Sequence, residues 1–185
     1  MEHAFPCGNL ALDFVGTLRA RRNPVPTDAL ASPRSLDAWF RESGLVDVDG
    51  DGDARPAELD DAIALREAIY ALVIARMKNS GYDKDALALV NRAAGLPSAI
   101  PHLTQGGRRT EATTRQAMSS VARDAIDILG GPHAPRLKEC TRPECTQVYL
   151  DHSRGGRREW CAMQTCGSRV KAAAYRARKR RSAAV

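Results

Sequence analysis

Four cysteines in the last quarter of the 185-residue chain repeat a short spacing, C-x4-C-x15-C-x4-C. They are Cys140, Cys145, Cys161 and Cys166. Two short cysteine pairs on separate turns can supply four sulfur ligands to tetrahedral Zn2+, at about 2.3 Å from the metal, without unusual backbone strain. Four thiolates also close the coordination sphere and leave no position for water. The spacing therefore predicts one structural zinc ion rather than a catalytic one.

Two disulfides are the competing interpretation of the same cysteines. The N-terminal sequence MEHAFPCGNLALDFVG has neither the basic start nor the long apolar stretch of a secretory signal, so we expect a cytoplasmic protein. Clustered thiols in a reducing compartment usually bind metal. His133 or His152 in place of one cysteine is a second alternative, although a lone histidine near a site is more often a surface residue. Cys7 is interpreted as a small buried side chain.

The charge of the chain is divided unevenly. Residues 1–135 carry 15 Lys and Arg against 18 Asp and Glu, whereas residues 136–185 carry 13 against 4, a net charge of +9. Four zinc-bound thiolates would reduce this surplus to about +7. The C-terminal part is therefore expected to attract polyanions, and the N-terminal part is not.

The segment RVKAAAYRARKRR, after the last cysteine, predicts a basic helix. Its small residues recur at helical spacing and could pack against the rest of the finger; they are Val170, Ala173, Ala174 and Ala177. Basic side chains fill the remaining face, and we expect them to contact nucleic acid, duplex DNA ahead of RNA, mostly through phosphates. They are Arg169, Lys171, Arg176, Arg178, Lys179 and Arg180. A solvated basic tail is the alternative.

Helix-start and helix-stop residues recur before this segment. Ser32 is a predicted N-cap ahead of Pro33, and Pro56 opens the longest predicted helix. The predicted helices run from Pro33 to Gly44, from about Ala57 to Lys78, from Asp83 to Gly95 and from about Thr114 to Leu129. One face of the longest helix is predicted to hold Leu59, Ile63, Tyr70, Val73 and Met77.

Strands are expected in two places. AIPHLTQGGRRTEATT predicts two short strands joined at Gly106-Gly107, and LALDFVGTL is a further strand or a buried segment. The fold class is α+β, with a helix-dominated N-terminal domain, a few short strands and a small C-terminal finger. Glycines and prolines between Gly130 and Leu137 mark the domain boundary. We expect an N-terminal domain over residues 1–130, a linker over 131–136 and the finger over 137–185.

The sequence contains two further polar patterns. Asp13 and Arg66 lie in apolar surroundings, and because a buried charge is costly unless paired, they are predicted to form an ion pair or to line a ligand pocket together. DVDGDGDARPAE, from Asp47 to Glu58, fits the D-x-D-x-D-G-x5-E pattern of a calcium loop. Pro56 interrupts the exit of that loop and no second loop exists. An acidic surface turn is therefore the default interpretation.

The C-terminal sequence CTRPECTQVYLDHSRGGRREWCAMQTCGSRVKAAAYRARKRR resembles the CGNR-type zinc finger, a treble-clef-like module. The motifs GNLALDFVGTLRARR and IALREAI are similar to the ABATE domain that accompanies this finger. Together the resemblances cover nearly the whole chain. They imply a stress-induced transcription regulator that binds DNA through the finger, with the N-terminal domain sensing a small-molecule effector or binding a protein partner.

The chain departs from the family motifs at two positions. Ser168 stands where the finger usually has asparagine, and Gly16 stands where the N-terminal motif usually reads LDFVNT. Serine can still accept a hydrogen bond near a helix N-terminus, so the finger is expected to fold. Gly16 removes a polar side chain, so a ligand held by the asparagine would differ or be absent here.

Other classes of function find less support in the sequence. A protein-interaction adaptor, in which zinc only stabilises the finger, is the alternative to a DNA-binding regulator. An enzyme is not expected, because the sequence has no glycine-rich phosphate loop, no nucleophile motif and no zincin spacing among its four histidines.

Overall fold

The computed structural model describes residues 3–47, 54–142 and 144–182. Most of the described secondary structure is helical. The helices are α1 (Leu10–Val15), α2 (Pro33–Glu42), α3 (Pro56–Met77), α4 (Lys84–Ala94), α5 (Thr114–Gly130) and α6 (Ser168–Ser182). A 3-10 turn at Ala134–Arg136 and a π-helical turn at Met163–Gly167 complete the helical elements of these residues.

The strands form three small antiparallel pairs. They are β1 (Leu18–Arg19) with β2 (Thr27–Asp28), β3 (Ile100–Thr104) with β4 (Gly107–Glu111), and β5 (Leu137–Glu139) with β6 (Val148–Leu150). Helices and short strands in this proportion confirm the predicted α+β class. Because Thr104 pairs with Gly107, the connection between β3 and β4 is Gln105-Gly106, one residue before the predicted position.

Local sequence explains where the helices begin. The Ser32 side chain accepts a hydrogen bond from the Ser35 N–H, with Pro33 at the first helical position, and the Asp83 side chain accepts one from the Ala86 N–H. Each contact satisfies a backbone donor that would have no partner inside the helix. The four predicted helices therefore appear as α2 to α5, with ends shifted by a few residues at most.

Two expectations for the N-terminal domain held only in part. LALDFV is the helix α1, capped by the Asn9 side chain and buried from Ala11 to Val15, so the alternative of a buried segment is confirmed and that of a strand is wrong. A short run that is apolar on every side has no periodicity to separate helix from strand. On α3, Val73 is buried as predicted, but the buried face otherwise runs through Ala62, Leu65, Arg66, Ala68, Ile69 and Leu72.

One hydrophobic core joins the N-terminal domain to the finger. Trp39 is fully buried among Phe5, Phe14 and Phe40, with ring centroids 5.0 to 5.8 Å apart. The same cluster continues into β5 and β6, where Val148 and Tyr149 are fully buried. Apolar contacts with the N-terminal domain thus help to stabilise the finger, because its own apolar side chains are few.

The predicted pairing of Asp13 with Arg66 is wrong. Arg66 is 2% exposed and pairs with Asp28, with its two terminal nitrogens 2.7 and 2.9 Å from the two carboxylate oxygens. It also donates to Thr17 and Glu67. A planar guanidinium favours this two-point contact with a carboxylate, and only the tertiary structure brings β2 to α3.

Asp13 does not pair with Arg66 and instead stabilises the turn before α1. Its carboxylate accepts the Cys7 N–H at 2.8 Å and the Asn9 N–H at 3.2 Å. Burial raises its pKa, and these hydrogen bonds oppose that rise. The residue therefore has a structural role in the N-terminal turn.

Among residues 3–47, 54–142 and 144–182, no helix combines the length and apolar composition that crossing a bilayer requires.

Arg66→Met should destabilise the protein by about 1.5 to 3 kcal/mol, because it removes the hydrogen bonds that the buried guanidinium donates to Asp28, Thr17 and Glu67. The measurement is urea unfolding followed by circular dichroism at pH 7. Lys78→Met at the exposed C-terminus of the same helix is the matched control, with a change expected within about 0.5 kcal/mol.

The same pair predicts a pH dependence. Burial opposes ionisation of Asp28, but the hydrogen bonds from Arg66 hold its pKa below the usual range. The stability from the pair is thus complete above about pH 4, near the pKa of an unfolded Asp, and is lost as the pH falls through the lowered pKa. A gap between wild type and Arg66→Met that stays constant down to pH 2 would contradict this account.

Candidate metal centre and basic helix

The hairpin of β5 and β6 positions the first cysteine pair. The Cys140 N–H donates to the Gln147 carbonyl at 2.9 Å, which extends the strand pairing by one residue past β5. The Cys145 N–H donates to the Arg142 carbonyl at 2.9 Å and closes a turn between the strands. Both sulfurs are therefore held at the end of one hairpin.

The second pair lies at the start of the C-terminal helix. Cys161 follows Trp160, and Cys166 lies in the π-helical turn that precedes α6. The Gly167 N–H donates to the Ala162 carbonyl at 2.9 Å, five residues back. A Cβ atom on Gly167 would lie 2.7 Å from the Trp160 indole nitrogen. Glycine after the last cysteine thus lets the indole ring pack against the backbone.

The four sulfurs fit a tetrahedral zinc ion. All four lie within 4.8 Å of one another, and the sulfurs of Cys145 and Cys161 are 3.9 Å apart. A Zn–S distance of about 2.3 Å in a tetrahedron requires about 3.8 Å between sulfurs. Three of the cysteines are buried, Cys145 is partly buried and none is in a disulfide. The prediction of one structural zinc ion is confirmed, with Cys140, Cys145, Cys161 and Cys166 positioned to hold it, and the sulfur distances favour zinc over the disulfide alternative.

Neighbouring groups shift the thiol pKa values in different directions: the pKa of Cys140 is lowered, whereas hydrogen bonds with the Cys140 sulfur raise the pKa values of Cys145 and Cys161. Hydrogen bonds with the Cys145 and Cys161 sulfurs hold the pKa of the Cys140 thiol well below its ordinary value, and the backbone N–H groups of Arg142 and Cys161 contribute to the shift. An Arg142 guanidinium nitrogen lies 3.7 Å from the Cys166 sulfur. Four thiolates around one Zn2+ leave two surplus negative charges, so the guanidinium is electrostatically well placed.

Neither histidine alternative belongs to this cluster. The rings of His133 and His152 pack edge to face with centroids 5.5 Å apart, and both side chains are exposed. Within the described part of the chain, the group of side chains that could hold a metal consists of the four cysteines.

Gly16 lies where the N-terminal domain meets the finger. The Gln147 side-chain amide donates to the Gly16 carbonyl at 3.1 Å, and a Cβ atom on residue 16 would lie 2.3 Å from Gln147 Oε1. The Cys7 thiol donates to the Val148 carbonyl at 3.1 Å, and the Arg21 N–H donates to Thr146 Oγ1 at 3.2 Å. The departure from the family motif at residue 16 therefore makes room for a finger side chain.

The predicted nucleic-acid-binding residues lie on α6, which emerges directly from the metal centre. Arg169, Lys171, Arg176 and Lys179 have exposed side chains. The structure shows no hydrogen bond or ion pair for the first three among the described residues. The side chains of Arg178 and Arg180 lie outside the described set.

The small residues of α6 do not pack as predicted where the structure describes them. Val170 is 37% exposed, Tyr175 is 61% exposed and Ala173 is also exposed. The Ser168 hydroxyl donates to the Gln164 carbonyl at 3.4 Å rather than accepting from the helix N-terminus. The helix thus projects from the finger with apolar as well as basic side chains in solvent.

Residues 48–53 of the predicted calcium loop lie outside the described residues. The end residues of the pattern have protein partners. Asp47 exchanges hydrogen bonds with the backbone of Thr110, and Glu58 pairs with Arg55 at 3.1 Å. The acidic surface turn therefore stays a prediction.

Sequence reasoning missed Arg142, Gln147 and Asp28. Arg142 is recognisable afterwards because it lies between two metal ligands, where a basic residue can offset thiolate charge. Gln147 and Asp28 carry no comparable pattern, since their partners are 131 and 38 residues away in the sequence.

Comparison with known protein families gives two matches. Residues 8–132 match the model of the ABATE family, described as "Putative stress-induced transcription regulator". Residues 136–179 match the model of the CGNR zinc finger. The matches occur in the predicted order along the chain and confirm both resemblances. No curated protein matches the chain.

The purified chain should hold one zinc ion, and serine at any of the four ligand positions should abolish its retention, because three thiolates leave the coordination sphere open. Native mass spectrometry measures the metal count. Cobalt substitution should add the absorption bands of a tetrahedral four-thiolate site, which each serine variant would lose.

Cys7→Ser is the matched control, because Cys7 is a buried cysteine outside the cluster. It should keep one zinc per chain. Zinc retained by Cys166→Ser and lost by Cys7→Ser would contradict the assignment of the ligands.

Proposed function

The chain belongs to the ABATE family, and we propose that it is a transcription regulator that binds duplex DNA through its zinc finger. Both family descriptions concern regulation or a zinc finger, and neither names an enzymatic activity. We place the N-terminal module at residues 1–130, the linker at 131–136 and the finger at 137–185, in the cytoplasm.

The observation that carries the proposal is the exposed basic surface of α6. Several other cations of the finger are engaged within the protein: Lys138 pairs with Asp151 at 2.7 Å, Arg142 with Glu144 at 2.8 Å, and Arg158 lies 4.5 Å from the centre of the Tyr149 ring. Arg169 and Lys171 have no such partner among the described residues. Their charge is available to an external polyanion.

The dimensions of α6 suit a nucleic-acid groove. Its 15 residues extend about 22 Å, and the major groove of B-form DNA, about 12 Å wide, admits one helix. The zinc centre fixes the N-terminal end of α6, since Cys166 lies two residues before Ser168. A basic helix on a rigid base loses less conformational entropy on binding than a disordered tail does.

We further propose that the N-terminal domain senses a small organic anion in a groove between α3, α4 and α5. The groove has a volume of about 350 Å³ and is lined by Asp61, Ala64, Leu65, Leu89, Arg92, Ala93, Leu96, Arg115 and Met118. Most of its surface is apolar, while Arg92 and Arg115 have no hydrogen bond or ion pair among the described residues. An apolar body with one carboxylate or sulfonate complements such a surface.

Wild-type protein loaded with zinc should bind labelled random duplex DNA with a steep salt dependence. Replacing Arg169, Lys171 and Arg176 together by Gln should reduce the log–log salt slope by about 2 to 3, because each lost phosphate contact contributes about 0.9. Fluorescence anisotropy over a salt series measures both slopes.

The matched control replaces three exposed cations of the N-terminal domain, Arg34, Lys78 and Lys84, by Gln. This variant has the same net charge as the α6 variant and should keep the wild-type slope. No DNA binding by wild type at low salt would overturn the proposal and favour the protein-interaction adaptor, in which α6 contacts an acidic protein surface.

The groove predicts binding of 8-anilinonaphthalene-1-sulfonate, an apolar ring system with one sulfonate. Fluorescence titration should give an affinity at least about tenfold weaker for R92Q/R115Q, since a charge-assisted hydrogen bond contributes about 1.5 to 3 kcal/mol. R34Q/K84Q on the same domain is the control with equal charge. Equal affinities for wild type and R92Q/R115Q would contradict an anion site in this groove.

A further inference from the structure

A second exposed basic element of the finger lies outside α6. The segment Ser153–Arg158, with the sequence SRGGRR, connects β6 to the second cysteine pair and is called the RGG loop below. Arg154 and Arg157 are exposed, and their guanidinium groups have no hydrogen bond or ion pair among the described residues. We propose that this loop is a second phosphate-binding element, contacting the backbone of the duplex that α6 engages; the inference rests on the proposed DNA binding.

The buried side chain of Asp151 holds the RGG loop in place. The buried carboxylate of Asp151 accepts the Ser153 N–H at 2.9 Å and the Arg158 N–H at 3.1 Å. Lys138 donates to the same carboxylate at 2.7 Å and also to the Gly156 carbonyl. Burial opposes ionisation of Asp151, but these hydrogen bonds hold its pKa far below the usual range. The carboxylate is therefore charged and saturated with donors at neutral pH.

The turn of the loop depends on its two glycines. Gly155 and Gly156 have φ angles of +79° and +60°, a backbone region that other residues rarely adopt. The Ser153 hydroxyl accepts the Arg157 N–H at 3.0 Å across this turn. These hydrogen bonds constrain the backbone between Arg154 and Arg157 within the protein itself, and such a constraint lowers the entropic cost of a contact.

Arg158, in the same segment, has a structural role. Its guanidinium carbon lies 4.5 Å from the centre of the Tyr149 ring, and its Nε donates to the Trp160 carbonyl at 2.7 Å. Arg154 and Arg157 make no comparable contact. Glu159 is the exposed acid beside them, so the loop with its neighbour still presents a net positive charge.

The RGG loop and α6 both lie close in the chain to the same metal centre. Arg157 is four residues before Cys161, a distance of at most about 14 Å along an extended chain. The sulfurs of Cys161 and Cys166 lie within 4.8 Å of each other, and α6 begins two residues after Cys166. A helix in the major groove, about 12 Å wide, has a phosphate backbone on each side, so the loop is near enough to contact one of them.

The test uses the full zinc-loaded chain and labelled random duplex DNA. R154Q/R157Q should reduce the log–log salt slope by about 2 and weaken binding in proportion, because two phosphate contacts are lost. R154K/R157K should keep most of the wild-type slope, since lysine also neutralises phosphate as a point charge. R34Q/K84Q on the N-terminal domain is the control of equal charge and should match wild type. Zinc content and circular dichroism verify that each variant is folded.

The outcomes separate this inference from the proposed function. A wild-type slope in R154Q/R157Q, together with a reduced slope in the α6 triple variant, would overturn the role of the RGG loop while DNA binding stands. A slope in R154K/R157K as low as that of R154Q/R157Q would also overturn it, because a phosphate contact does not require the guanidinium. No binding by wild type at low salt would overturn both proposals.

Discussion

The meeting of four cysteine sulfurs within 4.8 Å is the constraint on which the finger depends. The finger has few apolar side chains of its own, so the metal must join the β5–β6 hairpin to the π-helical turn before α6. Two basic elements of the finger adjoin that point in the chain: α6 begins two residues after Cys166, and the RGG loop ends three residues before Cys161. Arg142 lies against one sulfur and offsets part of the surplus thiolate charge.

The second constraint is that the finger is not an independent unit. Val148 and Tyr149 are fully buried in a core shared with the N-terminal domain, and Gly16 gives Gln147 the space to reach its carbonyl. Helix α3 lines the proposed anion groove and also carries Arg66, whose ion pair with Asp28 holds the segment that leads from α1 towards α2. The same helix therefore carries residues of the proposed groove and the buried partner of this ion pair.

Only part of the formal positive charge of the finger is open to a binding partner. Lys138 is engaged by Asp151, Arg142 by Glu144 and a ligand sulfur, and Arg158 by an aromatic ring. Composition counts these cations equally with Arg169 and Arg157, although only the latter kind is open to solvent without a protein partner among the described residues. If the proposed DNA binding holds, the described residues that would attract the duplex are therefore concentrated in two patches, α6 and the RGG loop.

Local patterns in the sequence determined the zinc ligands, the basic helix, the capped helices α2, α4 and α5, and the β3–β4 hairpin, because ligand spacing, capping and turn chemistry act over a few residues. The conformation of LALDFV and the buried face of α3 depended on packing against distant segments. Only the tertiary structure decided that Arg66 pairs with Asp28 and that the Gln147 side chain donates a hydrogen bond to the Gly16 carbonyl. It also decided which arginines stay exposed. Such choices rest on contacts between residues far apart in the chain, for which a single sequence carries no periodic pattern.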